Sequence, residues 1–180
     1  MKYCSHCGAP VQLRVPPGDD RKRFVCEACH TIHYENPKIV VGCIPVLENK
    51  ILLCRRAIEP RQGLWTLPAG YLENGESVSE GAKRETFEEA RAVVSNLVPF
   101  AVFSLPFISQ VYLMLRAQLD DLNFGAGTES LEVRLFHETE IPWDLLAFPV
   151  IRETLRKYYE DRSNGRFLFH IGDILKDITE

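Results

Sequence analysis

Long apolar runs are missing from this chain. No stretch approaches the roughly 20 residues of a membrane-spanning helix, and the N-terminal residues carry no hydrophobic leader segment. A membrane is therefore excluded as a partner for its helices, and a cytoplasmic location is expected. Excess positive charge is missing as well. Lys and Arg number 21 against 25 Asp and Glu, a net charge of −4, so no global basic field draws in nucleic acid or an anionic surface. An anionic substrate has to rely on bound metals and a few local Lys or Arg. Internal repeats and low-complexity tracts are also absent, which excludes stacked-repeat architectures. With 180 residues and 46% hydrophobic composition, the chain can bury one real core and one small appendage.

The appendage comes first. Cys4-Ser5-His6-Cys7 and Cys26-Glu27-Ala28-Cys29 are two CxxC pairs separated by 18 residues, among them Pro16-Pro17-Gly18-Asp19-Asp20. This is the spacing of a Cys4 zinc ribbon, where four thiolates close a tetrahedral structural site. The segment has too few apolar residues to fold by itself, so the metal would supply most of its folding free energy. Competing readings are a disulfide pair, which a cytoplasmic setting disfavours, and a redox CxxC. His6, His30 and His33 lie beside the knuckles, but four thiols complete the set without them. A basic stripe of Lys2, Arg14, Arg21, Lys22 and Arg23 reads as a nucleic-acid contact or equally as a solvated ribbon surface. Cys43 and Cys54 stand in apolar runs and read as small buried hydrophobes.

Residues 64–92 organise the rest. Ser77 with Glu80 is a capping-box pattern, which predicts a helix from near Val78 to about Ala92. On it Glu85, Glu88 and Glu89 stand at i, i+3 and i+4 and share one face, while Val78, Ala82, Thr86, Ala90 and Val93 would pack inward. Like charges at this spacing cost a helix a few tenths of a kcal/mol per pair, so three clustered carboxylates need a compensating partner. Magnesium or manganese is the natural candidate, since hard cations prefer carboxylate, carbonyl and phosphate oxygens; a solvated acidic face is the plain alternative. Arg84 can pair with Glu76 and hold the preceding loop against the helix.

Around this stretch the pattern is of strands. Residues 39–47 and 50–54 are β-rich runs joined by Glu48-Asn49, which predicts a hairpin. Arg55 and Arg56 follow the second run and either meet a diphosphate or end the strand in solvent; Trp65 reads as a packing residue. Residues 98–105, 110–119 and 133–137 read as further strands, with a loop from Asp120 through Gly127. Pro142 is expected to open a final helical region in which Phe148, Ile151, Leu155 and Tyr158 have amphipathic spacing. The tail, with Arg166-Phe167-Leu168-Phe169-His170-Ile171, is expected to add a strand or lie across a partner subunit.

Gly70, Glu76, Arg84, Glu85, Glu88 and Glu89 match in order and spacing the signature box of the Nudix hydrolases, which this chain resembles. Two positions depart from the box. Thr86 stands where the family has an apolar residue, and Arg91 where it has a glycine that would cap the helix, so a longer helix or a different exit is expected. The resemblance implies an α/β class: an α/β/α sandwich around a mixed sheet over 38–162, behind a Cys4 zinc ribbon over 1–37 and ahead of a C-terminal tail over 163–180. It implies Mg or Mn ligation by Glu85, Glu88 and Glu89 with the carbonyl of Ala69, catalysis by Glu88 with support from Glu76 and Arg84, and zinc on Cys4, Cys7, Cys26 and Cys29. A late glutamate of that family joins the metal or acts as base, which points to Glu132 first and Glu129 second, each equally a plain loop carboxylate. Substrate contact is expected from Arg55, Arg56 and Gly70.

A zinc ribbon before such a domain resembles the NADH pyrophosphatases, but their downstream Pro-Trp-Pro-Phe-Pro run is absent; Phe103-Ser104-Leu105-Pro106-Phe107-Ile108 occupies that region. Tyr34-Glu35-Asn36-Pro37-Lys38, Gly63-Leu64-Trp65-Thr66-Leu67-Pro68-Ala69-Gly70-Tyr71 and Glu129-Ser130-Leu131-Glu132 look more like a branch that includes plastid enzymes splitting FAD and ADP-ribose. The expected activity is metal-dependent cleavage of an ADP-containing dinucleotide or sugar to release AMP, with FAD and ADP-ribose ahead of NADH, in a homodimer. A ligand-sensing regulator that uses the ribbon as an interaction module is the reading from another class, and the intact glutamates argue against it.

Overall fold

A computed structural model describes residues 1–176; residues 177–180, the end of the expected tail, lie outside the described residues. The chain divides into two compact units, Met1–Pro37 and Lys38–Glu180.

The first unit is a three-stranded antiparallel sheet of β1 (Val11–Arg14), β2 (Arg23–Cys26) and β3 (Ile32–His33), in that order. Its buried hydrophobic residues are Cys4, Val25 and Cys26. Two of these three are thiols, so the unit has almost no apolar core. Tight backbone bonds form the first knuckle, where the Gly8 N–H donates to the Cys4 carbonyl at 2.9 Å and the Cys4 N–H to that of Ala9 at 2.8 Å.

The second unit is built on a mixed eight-stranded sheet. Its strands are β4 (Lys38–Leu47), β5 (Lys50–Arg56), β6 (Trp65–Thr66), β7 (Ala69–Tyr71), β8 (Val94–Leu105), β9 (Gln110–Leu119), β10 (Ser130–His137) and β11 (His170–Asp173). The main path runs β10-β5-β4-β9-β8-β11, with β6 on β5 and β7 on β4. The expected hairpin closes at Glu48-Asn49, where Leu47 faces Lys50 and Val46 faces Ile51. Beyond those two pairs β4 and β5 part. Pro45 has no N–H to give a ladder, and the space between the strands is taken by β7 pairing Val40, Val41 and Gly42, and by β6 pairing Cys54 and Arg55. This splay lets the loop after β7 reach the middle of the sheet.

Helices cover both faces, the expected sandwich. Helix α1 (Val78–Ala90) buries Ala82 and Ala90 against Cys43, Leu52, Cys54 and Leu115. Helix α2 (Pro149–Ser163) lays Ile151, Leu155 and Tyr158 on Ile44, Phe100, Met114 and Phe136. Trp65 is a packing residue, edge-on to Phe136 at 4.9 Å between ring centres.

Several boundaries differ from the sequence reading. Strands β8 and β10 begin earlier, at Val94 and Ser130. Pro142 opens only a 3-10 turn at Trp143–Leu145, and α2 starts at Pro149, where the ring's fixed φ suits the first helical position. The tail adds the strand β11, parallel to β8 through Ala101–His170 and Val102–Ile171.

Candidate functional site

Helix α1 begins as its sequence dictates. The Ser77 hydroxyl accepts the Glu80 N–H while the Glu80 carboxylate accepts the Ser77 N–H at 2.7 Å, a complete capping box. It ends differently from expectation. The last helical residue is Ala90, and Arg91 takes the left-handed conformation (φ 51°, ψ 20°) that the family's glycine would take. The exit is therefore kept at a conformational cost instead of being rerouted, and Val93, expected to pack inward, lies exposed beyond it. Thr86, in the other unusual position, is fully buried; its hydroxyl donates to the Ala82 carbonyl at 2.7 Å and contacts the Cys43 sulfur at 3.1 Å. Bonding back along the helix satisfies the one polar group that an apolar residue would not have brought.

Arg84 gathers the acidic residues. Its guanidinium donates to both oxygens of Glu76, at 3.0 and 2.7 Å, to Glu85 at 2.7 Å, to Glu88 at 3.1 Å and to the Tyr71 carbonyl at 3.0 Å. The hydrogen bonds from Arg84 hold Glu76 down to a pKa of about 2, and the same fork ties the loop after β7 to the helix. Gly70 makes room for this arrangement, because a Cβ there would run into the Glu85 carboxylate.

The three box glutamates have graded surroundings. Glu88 is the most exposed, whereas Glu85 and Glu89 are buried. Burial raises the pKa of Glu85. Burial, then the Glu85 charge, pushes Glu89 up to about 8, against the opposing pull of Arg56 and the backbone of Ala69. Glu89 Oε2 is buried with no hydrogen-bond partner. A buried orphan oxygen beside a second buried carboxylate fits a hard divalent cation, whose charge would offset both costs.

The loop between β9 and β10 completes the wall. Gly125 N–H donates to the Ala90 carbonyl at 2.8 Å and Gly127 N–H to that of Glu89 at 3.0 Å, satisfying the last carbonyls of α1. A Cβ on Gly127 would collide with the Glu88 carbonyl oxygen. Sequence reasoning missed this pair; the signal was two glycines spaced to follow a helix end, visible only once the loop is known to return to α1.

The two late glutamates singled out by the sequence have different surroundings. The Glu129 charge raises the pKa of both Glu85 and Glu89. Glu132 instead faces Arg55 at 3.8 Å, and in register Arg55 faces Trp65, which belongs to the cluster under α2. Glu132 and Arg55 thus share the face of the sheet away from α1. Arg55 and Arg56 are the end of β5 and bond to different partners. Arg55 Nε donates to the Gly63 carbonyl, while Arg56 Nε donates to that of Pro60, its guanidinium 5.1 Å over the Phe148 ring. Of the two, Arg56 is the one whose charge reaches Glu89.

In the first unit the sulfurs of Cys4, Cys7, Cys26 and Cys29 lie within 4.8 Å of one another, with Cys4–Cys29 at 3.6 Å and Cys7–Cys26 at 3.4 Å. Four sulfurs about 2.3 Å from a zinc ion are spaced at roughly 3.8 Å, so this cluster fits a tetrahedral ion. All six cysteines are free. His33 Nε2 lies 3.3 Å from the Cys4 sulfur, outside the four-thiol set.

Comparison with known proteins agrees with this geometry. The NUDIX domain model matches residues 36–158, and the zinc-ribbon model described as Nudix N-terminal matches residues 2–35. The crystal structure of a NUDIX hydrolase from Nitrosomonas europaea superposes with a TM-score of 0.95 at 58% identity, covering 98% of this chain and 100% of that one. The NAD-capped RNA hydrolase NudC of Salmonella paratyphi C is 28% identical over 145 residues, 78% of this chain and 53% of that protein, so the chain spans about half the length of the curated relatives it matches. An ADP-ribose pyrophosphatase from Streptococcus suis shares the fold at a TM-score of 0.59 and 22% identity, covering 76% and 99% of the two chains. The protein is a member of the NUDIX domain family with a zinc ribbon ahead of the domain.

Proposed function

We propose that this protein hydrolyses the pyrophosphate bond of an ADP-containing dinucleotide or nucleoside diphosphate sugar and releases AMP. The observation that carries the reading is the pair of buried box carboxylates, with the Glu89 Oε2 atom left without a partner. Glu85, Glu88 and Glu89, with the backbone of Ala69 beside Glu89, would hold Mg or Mn. A bound ion of this kind supplies neutralisation of the diphosphate charge and a water of lowered pKa.

The chain's own groups do the rest. Arg84 fixes Glu85 and Glu88 in one orientation, and with Glu76 it holds the loop that follows Gly70 and β7 against them. Arg56 is the basic residue placed to meet substrate phosphate, and Arg55 is occupied by Glu132 and Gly63. Glu129 is assigned as the acceptor of the water proton because its charge is the late carboxylate felt at the box. Cys4, Cys7, Cys26 and Cys29 would hold a structural zinc ion.

FAD and ADP-ribose are favoured by the motifs around Pro37 and Gly70. A second reading, NADH, draws on the relatives named NAD-capped RNA hydrolase. Chromatographic detection of AMP from ADP-ribose, FAD, NADH and NAD, with Mg or Mn present, tests the class and chooses among them. Glu129→Gln should slow turnover far more than Glu132→Gln; equal effects would contradict the assignment of the base.

A further inference from the structure

A cavity of about 380 Å³ lies over the other end of β4 from the box. Strand β7, which carries Gly70, meets β4 at Val40, Val41 and Gly42, whereas the cavity is bounded by Val46 and Glu48 at the hairpin. Tyr158 of α2 and Phe167 of the tail wall it, so it opens on the α2 side of the sheet and the box glutamates stand on the α1 side. Its size falls in the range of small-molecule sites, roughly 300–1,000 Å³.

Arg116 is the unusual residue in it. Its guanidinium lies 3.8 Å from the centre of the Phe167 ring, and Nε is buried with no hydrogen-bond partner. The guanidinium makes no ion pair and no hydrogen bond among the described residues, although the protein is acidic overall. Glu48 is the one carboxylate among the lining residues, exposed at the hairpin turn and unpaired with Arg116. An arginine whose guanidinium stands over an aromatic ring and whose buried Nε has no acceptor is preorganised for a planar oxyanion from outside the chain.

The remaining walls define the rest of the ligand. Val46, Leu47, Val98 and Ala117 are apolar, the Asn96 amide donates to Gln118 Oε1 at 2.9 Å, and Tyr158 and Phe167 pack on each other with ring centres 5.4 Å apart. A single guanidinium with Glu48 at the rim suits a monoanion better than a phosphate dianion. The wall is built by the folded tail: the Asp161 carbonyl accepts the Arg166 N–H at 3.1 Å and Asp161 Oδ2 accepts the Leu168 N–H at 2.7 Å, which fixes Phe167 between them.

We propose that this cavity binds a small carboxylate with an apolar, ring-shaped body, through Arg116 on Phe167, at a site separate from the box. The site takes its specificity from charge and shape together, so neither an uncharged ring nor a bare anion should fill it well.

Benzoate, benzamide and inorganic phosphate are the probes, titrated into the full-length, zinc-loaded protein while the Arg116 Nε–Hε signal is followed by ¹⁵N NMR. Benzoate should give a saturable shift, with benzamide and phosphate at least about tenfold weaker, the scale of one charge-assisted bidentate contact. Arg116→Met should abolish benzoate binding, read by calorimetry. Val98→Trp, which fills the cavity from its exposed rim and leaves Arg116 in place, should do the same if Arg116→Met fails to fold. No saturable shift at millimolar benzoate, benzamide binding as well as benzoate, or benzoate binding that survives Val98→Trp would each overturn the proposal.

Discussion

The two units solve the same folding problem with opposite means. The second buries two layers of apolar side chains, Phe100, Met114 and Phe136 under one helix and Leu52, Cys54 and Leu115 under the other, and can then carry two buried glutamates in its active helix. The first buries Val25 and two thiols, and the four sulfurs take the place of a core. Apolar burial is spread over many residues and tolerates local conflict; a metal cluster concentrates the stability in four atoms and tolerates none.

The comparison is broken most severely at the thiols. Cys26→Ser should release the zinc and unfold residues 1–37, since structural zinc contributes on the order of 10 kcal/mol in such modules, while the larger unit keeps its melting transition. Zinc content by mass spectrometry and calorimetry of the same sample check this; retained zinc would contradict it. Phe100→Ala tests the other side. Phe100 is wholly buried among Tyr158, Phe167 and His170, and its truncation should cost about 3–5 kcal/mol in a urea titration with zinc content unchanged.

Smaller effects sharpen the contrast. Asp161 is buried, which raises its pKa, but the Leu168 N–H and His170 hold it below the usual carboxylate range. A carboxyl with a depressed folded pKa stabilises above its unfolded value near 4 and loses that contribution as pH falls through the folded value. Urea midpoints should therefore drop more steeply below about pH 4 in the wild type than in Asp161→Asn, with tail signals moving first. Arg91→Gly should be the mildest change, raising stability by at most about 1 kcal/mol through relief of the left-handed conformation.

These particulars also mark what was legible beforehand. Periodic signals survived: the capping box, the three glutamates on one face, the hairpin at Glu48-Asn49 and the paired knuckles are all local, so spacing alone specifies them. The fold class followed from the resemblance carried by the box. The misreadings lie where a distant contact decides. Arg91 was read as a longer helix or a different exit, whereas its backbone takes the left-handed conformation and keeps the exit. The order of Glu132 and Glu129 could not be read locally, because the face that Glu132 takes depends on the register of β10 with β5. Arg55 and Arg56 looked like a pair, and the strand sends them to different partners.

Turnover of Glu89→Gln in the presence of Mn tests the central claim most directly, with folding checked by the melting transition and AMP release measured on whichever of ADP-ribose, FAD or NADH the wild type cleaves. The substitution keeps the size of the side chain and removes the carboxylate whose buried Oε2 has no hydrogen-bond partner in the protein. Loss of turnover by about a hundredfold or more, with the fold intact, is the result the account predicts. Near-normal AMP release from the folded variant, or none from the wild type on any of the three, would contradict it.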